Sequence, residues 1–163
     1  GAGAGAWLVP PPCKIMSPST RTRSTVSGCL DAFAILAWLQ DEPGSDITGS
    51  HLQRAASDEE FRCFVSIINL AEVYYRIQRT RGRSEPDGFW EDSLHHVIPL
   101  TVVPATRRRV LEAARLKGRF PIALGDAFAA QVAVEKDVPL VTGDPEMETL
   151  RQAGVLQLDW IER

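Results

Sequence analysis

From residue 26 onward, short apolar runs alternate with stretches of helical period. Residues 26–30 read as a first strand, loosened by Ser27 and Gly28. Residues 31–40 carry Phe33, Leu36 and Trp38 at helical spacing and are stopped by Glu42-Pro43-Gly44-Ser45. A polar helix is predicted around 51–56. Residues 61–66 read as a strand, or as the approach to a helix over 67–78. Glu85-Pro86-Asp87-Gly88 predicts a break, followed by a helix over 89–95. The β-rich residues 97–103 predict a strand. A helix over 104–117 follows, with Pro104 near its first turn and Gly118 at its end. Another helix is expected over 124–135, a short buried strand over 139–142 and a helix over 145–153. Strands alternating with helices, with no internal repeat, predict an α/β fold around a mainly parallel sheet.

Residues 1–25 follow another pattern. They open on alternating Gly and Ala, continue through Pro10-Pro11-Pro12 and end in a Ser/Thr/Arg run without periodicity. The expectation is a flexible leader or extension beside one domain over 26–163. The leader lacks the basic start and apolar core of a secretory signal. Its charge is +3 and that of the remainder −6, so global charge does not favour nucleic-acid binding, although a local basic patch remains open. The longest uncharged apolar stretch runs over residues 32–39, far below the ~20 residues of a membrane span. Cys13, Cys29 and Cys63 form no Cys-x-x-Cys spacing, which favours a reducing, cytoplasmic setting over a disulfide framework or zinc ribbon.

The polar residues that change this picture are acids. Ligands bind at the carboxyl ends of parallel strands, and Asp31 and Asp144 follow predicted strands. Asp126 falls in the first turn of a predicted helix, and Glu72 lies on a helix amid Leu70, Ala71, Val73 and Tyr74. Each has a structural explanation. Asp31 and Asp126 suit helix N-termini, Asp144-Pro145 suits a turn, and Glu72 can pair with Arg76 at i+4. Taken together, carboxylates without matching lysines also suit a divalent cation with oxygen ligands, Mg²⁺ or Mn²⁺.

Four segments carry a resemblance. Leu30-Asp31-Ala32-Phe33-Ala34, Ile68-Asn69-Leu70-Ala71-Glu72-Val73-Tyr74-Tyr75, Gly125-Asp126-Ala127-Phe128-Ala129-Ala130 and Leu140-Val141-Thr142-Gly143-Asp144-Pro145-Glu146 occur in that order. Together they resemble PIN-domain ribonucleases, and most closely the VapC type, the toxin half of bacterial toxin–antitoxin pairs. The resemblance implies a three-layer α/β/α PIN fold, Mg²⁺- or Mn²⁺-dependent RNA cleavage, a small antitoxin partner and a homodimer. It assigns Asp31, Glu72, Asp126 and Asp144 to the acidic quartet and Thr142 to the hydroxyl beside the fourth acid. Relatives usually carry Ser or Thr at one of the two positions after the first Asp. Here these are Ala32 and Phe33, so a hydroxyl that would orient Asp31 is missing there.

An acidic centre that handles RNA also needs cations. Arg76, Arg79, Arg81 and Arg83 follow Glu72 and are the RNA-binding candidates, against the alternative of a solvated face. Arg107, Arg108, Arg109, Arg115, Lys117 and Arg119 form a second basic segment. No histidine is placed to act as general base. Two other functions compete. A catalytically inactive PIN-like module would bind RNA or a partner without cleaving. A haloacid-dehalogenase-type phosphatase would need an acid two residues after Asp31, where Phe33 stands.

Overall fold

The computed structural model describes residues 27–81 and 84–161. Five strands, β1 (Gly28–Leu30), β2 (Cys63–Ser66), β3 (Thr101–Val103), β4 (Leu140–Thr142) and β5 (Leu158–Trp160), form one sheet in the order β3-β2-β1-β4-β5. Every neighbouring pair is parallel. The described helices are α1 (Ala32–Leu39), α2 (Ser45–Ser57), α3 (Ile67–Arg81), α4 (Ser84–Leu94), α5 (Arg107–Arg119), α6 (Leu124–Lys136) and α7 (Glu148–Gln152). A single 3-10 turn, Pro145–Met147, precedes α7.

Side chains alternate across the strands, as the extended backbone requires. Leu30, Cys63, Val65 and Val141 join Ile35, Leu36, Leu52, Leu70, Val73 and Phe89 in one buried layer beneath α1 to α4. Cys29, Leu140 and Val103 join Ala113, Ala127, Ala130, Met147 and Leu150 in the other, beneath α5 to α7. These two apolar layers flank the sheet and make the expected three-layer α/β/α arrangement.

Several boundaries differ from the sequence pattern. The break expected at Glu85-Pro86-Asp87-Gly88 is the first turn of α4, where a proline removes no helical hydrogen bond. The phenol of Tyr74 donates to Asp87 Oδ1 at 2.7 Å, tying that turn to α3. Of residues 97–103, only the last three are strand. Gly118 lies inside α5, which starts at Arg107 with the Thr106 hydroxyl capping it. The polar helix around 51–56 is the latter part of the longer α2. Strand β5 was not expected from the sequence. The leader over 1–25 and the predicted strand residue Val26 lie outside the described residues. Among the described residues no helix is long and apolar enough to cross a membrane.

Candidate metal centre

The sheet order fixes where a site can form. From β1 the chain moves outward through β2 to β3, then returns to the other side of β1 for β4 and β5. The reversal lies between β1 and β4, and their carboxyl ends open the crevice that such sheets use for ligands. Asp31 follows β1 and Asp144 stands two residues beyond β4.

Asp31 is only 1% exposed. Its Oδ1 accepts the Ala34 amide at 2.8 Å, capping α1. Its Oδ2 accepts the hydroxyl of Thr142, which is fully buried at the end of β4. The Thr142 oxygen in turn accepts the Asp144 amide at 3.0 Å. A single hydroxyl therefore fixes both acids and supplies across the sheet what Ala32 and Phe33 lack. The Phe33 ring occupies the space beside Gly143, where an added Cβ would come within 2.4 Å of it.

Asp126 and Glu72 arrive from α6 and α3. The Ser66 hydroxyl accepts the Ile68 amide at 3.2 Å, so α3 begins directly at the end of β2. One turn on, the buried Asn69 donates from Nδ2 to the Gly125 carbonyl at 3.0 Å. Gly125 leaves room for Glu72, whose Oε2 lies 2.9 Å from where a Cβ would stand. The helices thus meet at the residue before Asp126. Glu72 Oε1 faces Arg76 Nε at 3.5 Å.

Glu72, Asp126 and Asp144 line one open cleft of about 470 Å³ with Ala32, Phe33, Glu42, Pro43 and Arg76. Asp31 is buried beside it. Burial, opposed by its hydrogen bonds from Thr142 and the Ala34 amide, and reinforced by the charges of Asp126 and Asp144, pushes the Asp31 carboxyl up to about 7. Burial and the charges of Asp144, Glu72 and Glu146 push Asp126 up to about 6. Asp31 and Asp126 thus each feel the charge of acids far away along the chain.

Glu146 was missed in the sequence. Ligand oxygens of Asp126, Asp144 and Glu146 lie within 4.8 Å of one another. The signal was the Asp-Pro-Glu run. Asp144 Oδ1 accepts the Glu146 amide at 2.9 Å, closing a 3-10 turn that places both acids on one side. A set of carboxylate oxygens this close together fits a hard divalent cation. Of the RNA-binding candidates, Arg76 lines the cleft. Arg79 stacks over the Tyr75 ring at 4.9 Å. The Arg81 side chain and Arg83 lie outside the described residues.

The model of the PIN domain family matches residues 28–152. Among solved structures, the chain is similar to VapBC2 from Rickettsia felis bound to a DNA fragment from their promoter, with 16% identity and a TM-score of 0.61, covering 83% of this chain and 98% of that one. It is similar to DNA-bound VapBC from Salmonella typhimurium at 13% identity and a TM-score of 0.59, covering 82% and 97%. FitAcB from Neisseria gonorrhoeae shows 16% identity and a TM-score of 0.58, covering 81% and 96%. Comparison with curated protein sequences returns no match. At these identities the structural likeness speaks to fold, and it agrees with a family match that spans all four acidic segments: the chain belongs to the PIN domain family.

Proposed function

We propose that this protein is a Mg²⁺- or Mn²⁺-dependent ribonuclease and the toxin of a toxin–antitoxin pair. The observation that carries the reading is the shared cleft of Glu72, Asp126 and Asp144 at the sheet's switch point, with Asp31 buried beside it. Asp126, Asp144, Glu146 and Glu72 would hold the cation, and Asp31 would complete the set. When bound, the cation polarises a water for attack on the phosphodiester and neutralises charge on the phosphate oxygens. The chain's own part is positioning. Thr142 holds Asp31 and the Asp144 backbone in fixed relation, and Asn69 holds Glu72 near Asp126 through Gly125.

The same acids define the inhibitor. A metal-free cleft lined by carboxylates favours an antitoxin that inserts an arginine or lysine among them, since a guanidinium fork can bridge two carboxylates. The protein would act in the cytoplasm as a homodimer. The similarly folded VapBC proteins support the toxin part of this reading through fold alone. Expression in a bacterial host tests it. The expected result is growth arrest with accumulating cleaved RNA, relieved by a small protein encoded beside this chain and absent for Asp144→Asn. Arrest that persists in the Asp144→Asn strain would contradict it.

A further inference from the structure

Among the described residues lining the acidic cleft, Arg76 is the one basic side chain. Its Nε lies 3.5 Å from Glu72 Oε1, one turn back along α3, while the side chain stays 54% exposed. The other oxygen of Glu72 is turned to Gly125, the neighbour of Asp126. Glu72 thus faces the acids with one oxygen and the arginine with the other. A largely exposed pair whose nearest approach is this long contributes little to stability. The half-exposed guanidinium lines the cleft and is able to meet a ligand there.

A polyanion approaching this cleft meets repulsion from the acids, so a cation at the rim changes most for the ligand. A guanidinium presents parallel N–H groups that match two oxygens of a phosphate. We propose that Arg76 is a phosphate clamp, held through Nε by Glu72 and offering its terminal nitrogens to a backbone phosphate of an RNA strand lying in the cleft. This rests on the reading of the site as a ribonuclease centre. Arg79, by contrast, is engaged with Tyr75 and is not among the cleft residues.

The test uses the full chain and its Arg76→Gln and Arg76→Lys variants, with folding checked by circular dichroism. Binding of a fluorescently labelled single-stranded RNA is read by polarisation across a salt series in Ca²⁺. Mn²⁺ binding is read by calorimetry. Arg76→Gln is expected to weaken RNA binding about tenfold and to lower the slope of log affinity against log salt by about 0.7, the loss of one phosphate contact on a single strand. Arg76→Lys should restore the slope and only part of the affinity, because a point charge lacks the fork. Mn²⁺ should bind the Arg76→Gln variant at least as tightly as the parent. An unchanged slope and affinity would overturn the clamp, as would loss of Mn²⁺ affinity with RNA binding intact, which would make Arg76 a prop for Glu72. A parent that binds no RNA also overturns it. A parent that shows the arginine-dependent slope but never cleaves RNA in Mn²⁺ upholds the clamp and defeats the ribonuclease reading.

Discussion

Both oxygens of Asp31 accept hydrogen bonds, and still its carboxyl titrates near 7 because burial outweighs them. The folded chain therefore holds a proton there that the unfolded chain, titrating near 3.8, releases. Stability from this group is fully present below the unfolded value and is lost as pH rises through the folded one. Asp126, raised to about 6, acts in the same direction. Without metal, melting temperature should fall between pH 5 and pH 8, with Asp31 contributing about 2–4 kcal/mol to the change. Asp31→Asn keeps a capping oxygen and should flatten that fall. Melting curves in a chelator across this range check it, and identical pH profiles for parent and variant would contradict the assignment. The acids illustrate why sequence alone left two explanations open. Asp31 caps α1, Asp144 caps the 3-10 turn and Glu72 pairs with Arg76, so each structural explanation holds, and the same acids crowd one centre.

Between elements, two glycines set how closely the site can close. A methyl at Gly125 would crowd only the flexible end of Glu72 and make an ordinary contact of 3.8 Å with Asn69 Nδ2. Gly125→Ala should leave the melting temperature nearly unchanged and weaken Mn²⁺ binding about tenfold by turning Glu72 away from Asp126, a change of about 1.4 kcal/mol. Calorimetry beside melting measures both, and a variant with parental Mn²⁺ affinity would show that Glu72 need not approach α6. At Gly143 a methyl would meet the Phe33 ring and the Ile161 carbonyl. Gly143→Ala should cost about 1–3 kcal/mol by overpacking. Combined with Phe33→Ser the loss should be smaller than the sum, which denaturant titration of the four proteins reads as a coupling energy. The strands flanking the site were legible because β1, β2 and β4 lie in short, largely apolar and largely buried runs. Strand β5 was not. Leu158-Asp159-Trp160 is a half-exposed edge, and His51 from α2 approaches Asp159 at 3.3 Å across sequence distance that no local pattern records. The start of α4 was misread because Pro86 and Gly88 are turn residues by type, whereas the Tyr74–Asp87 hydrogen bond and packing on α3 decide the outcome.

At the scale of the molecule, an all-parallel sheet with one reversal of strand order gathers residues 72, 126 and 144 at one crevice, with residue 31 buried beside it. Their convergence was legible through the order of four short segments and not through spacing. Glu146 and Asn69 escaped notice because their parts depend on a 3-10 turn and on the contact between α3 and α6. The fold carries like charges there in the metal-free state, so a bound cation would add stability in proportion to its binding. The measurement closest to the central claim is cleavage of a structured RNA by the purified chain, first in chelator and then with Mn²⁺ or Mg²⁺ restored, beside Asp126→Asn. The account predicts no cleavage in chelator, cleavage on adding either ion, and a loss of at least a hundredfold in the variant, on the scale of a removed catalytic charge stabiliser. Cleavage that proceeds in chelator, or an Asp126→Asn protein as active as the parent, would contradict it.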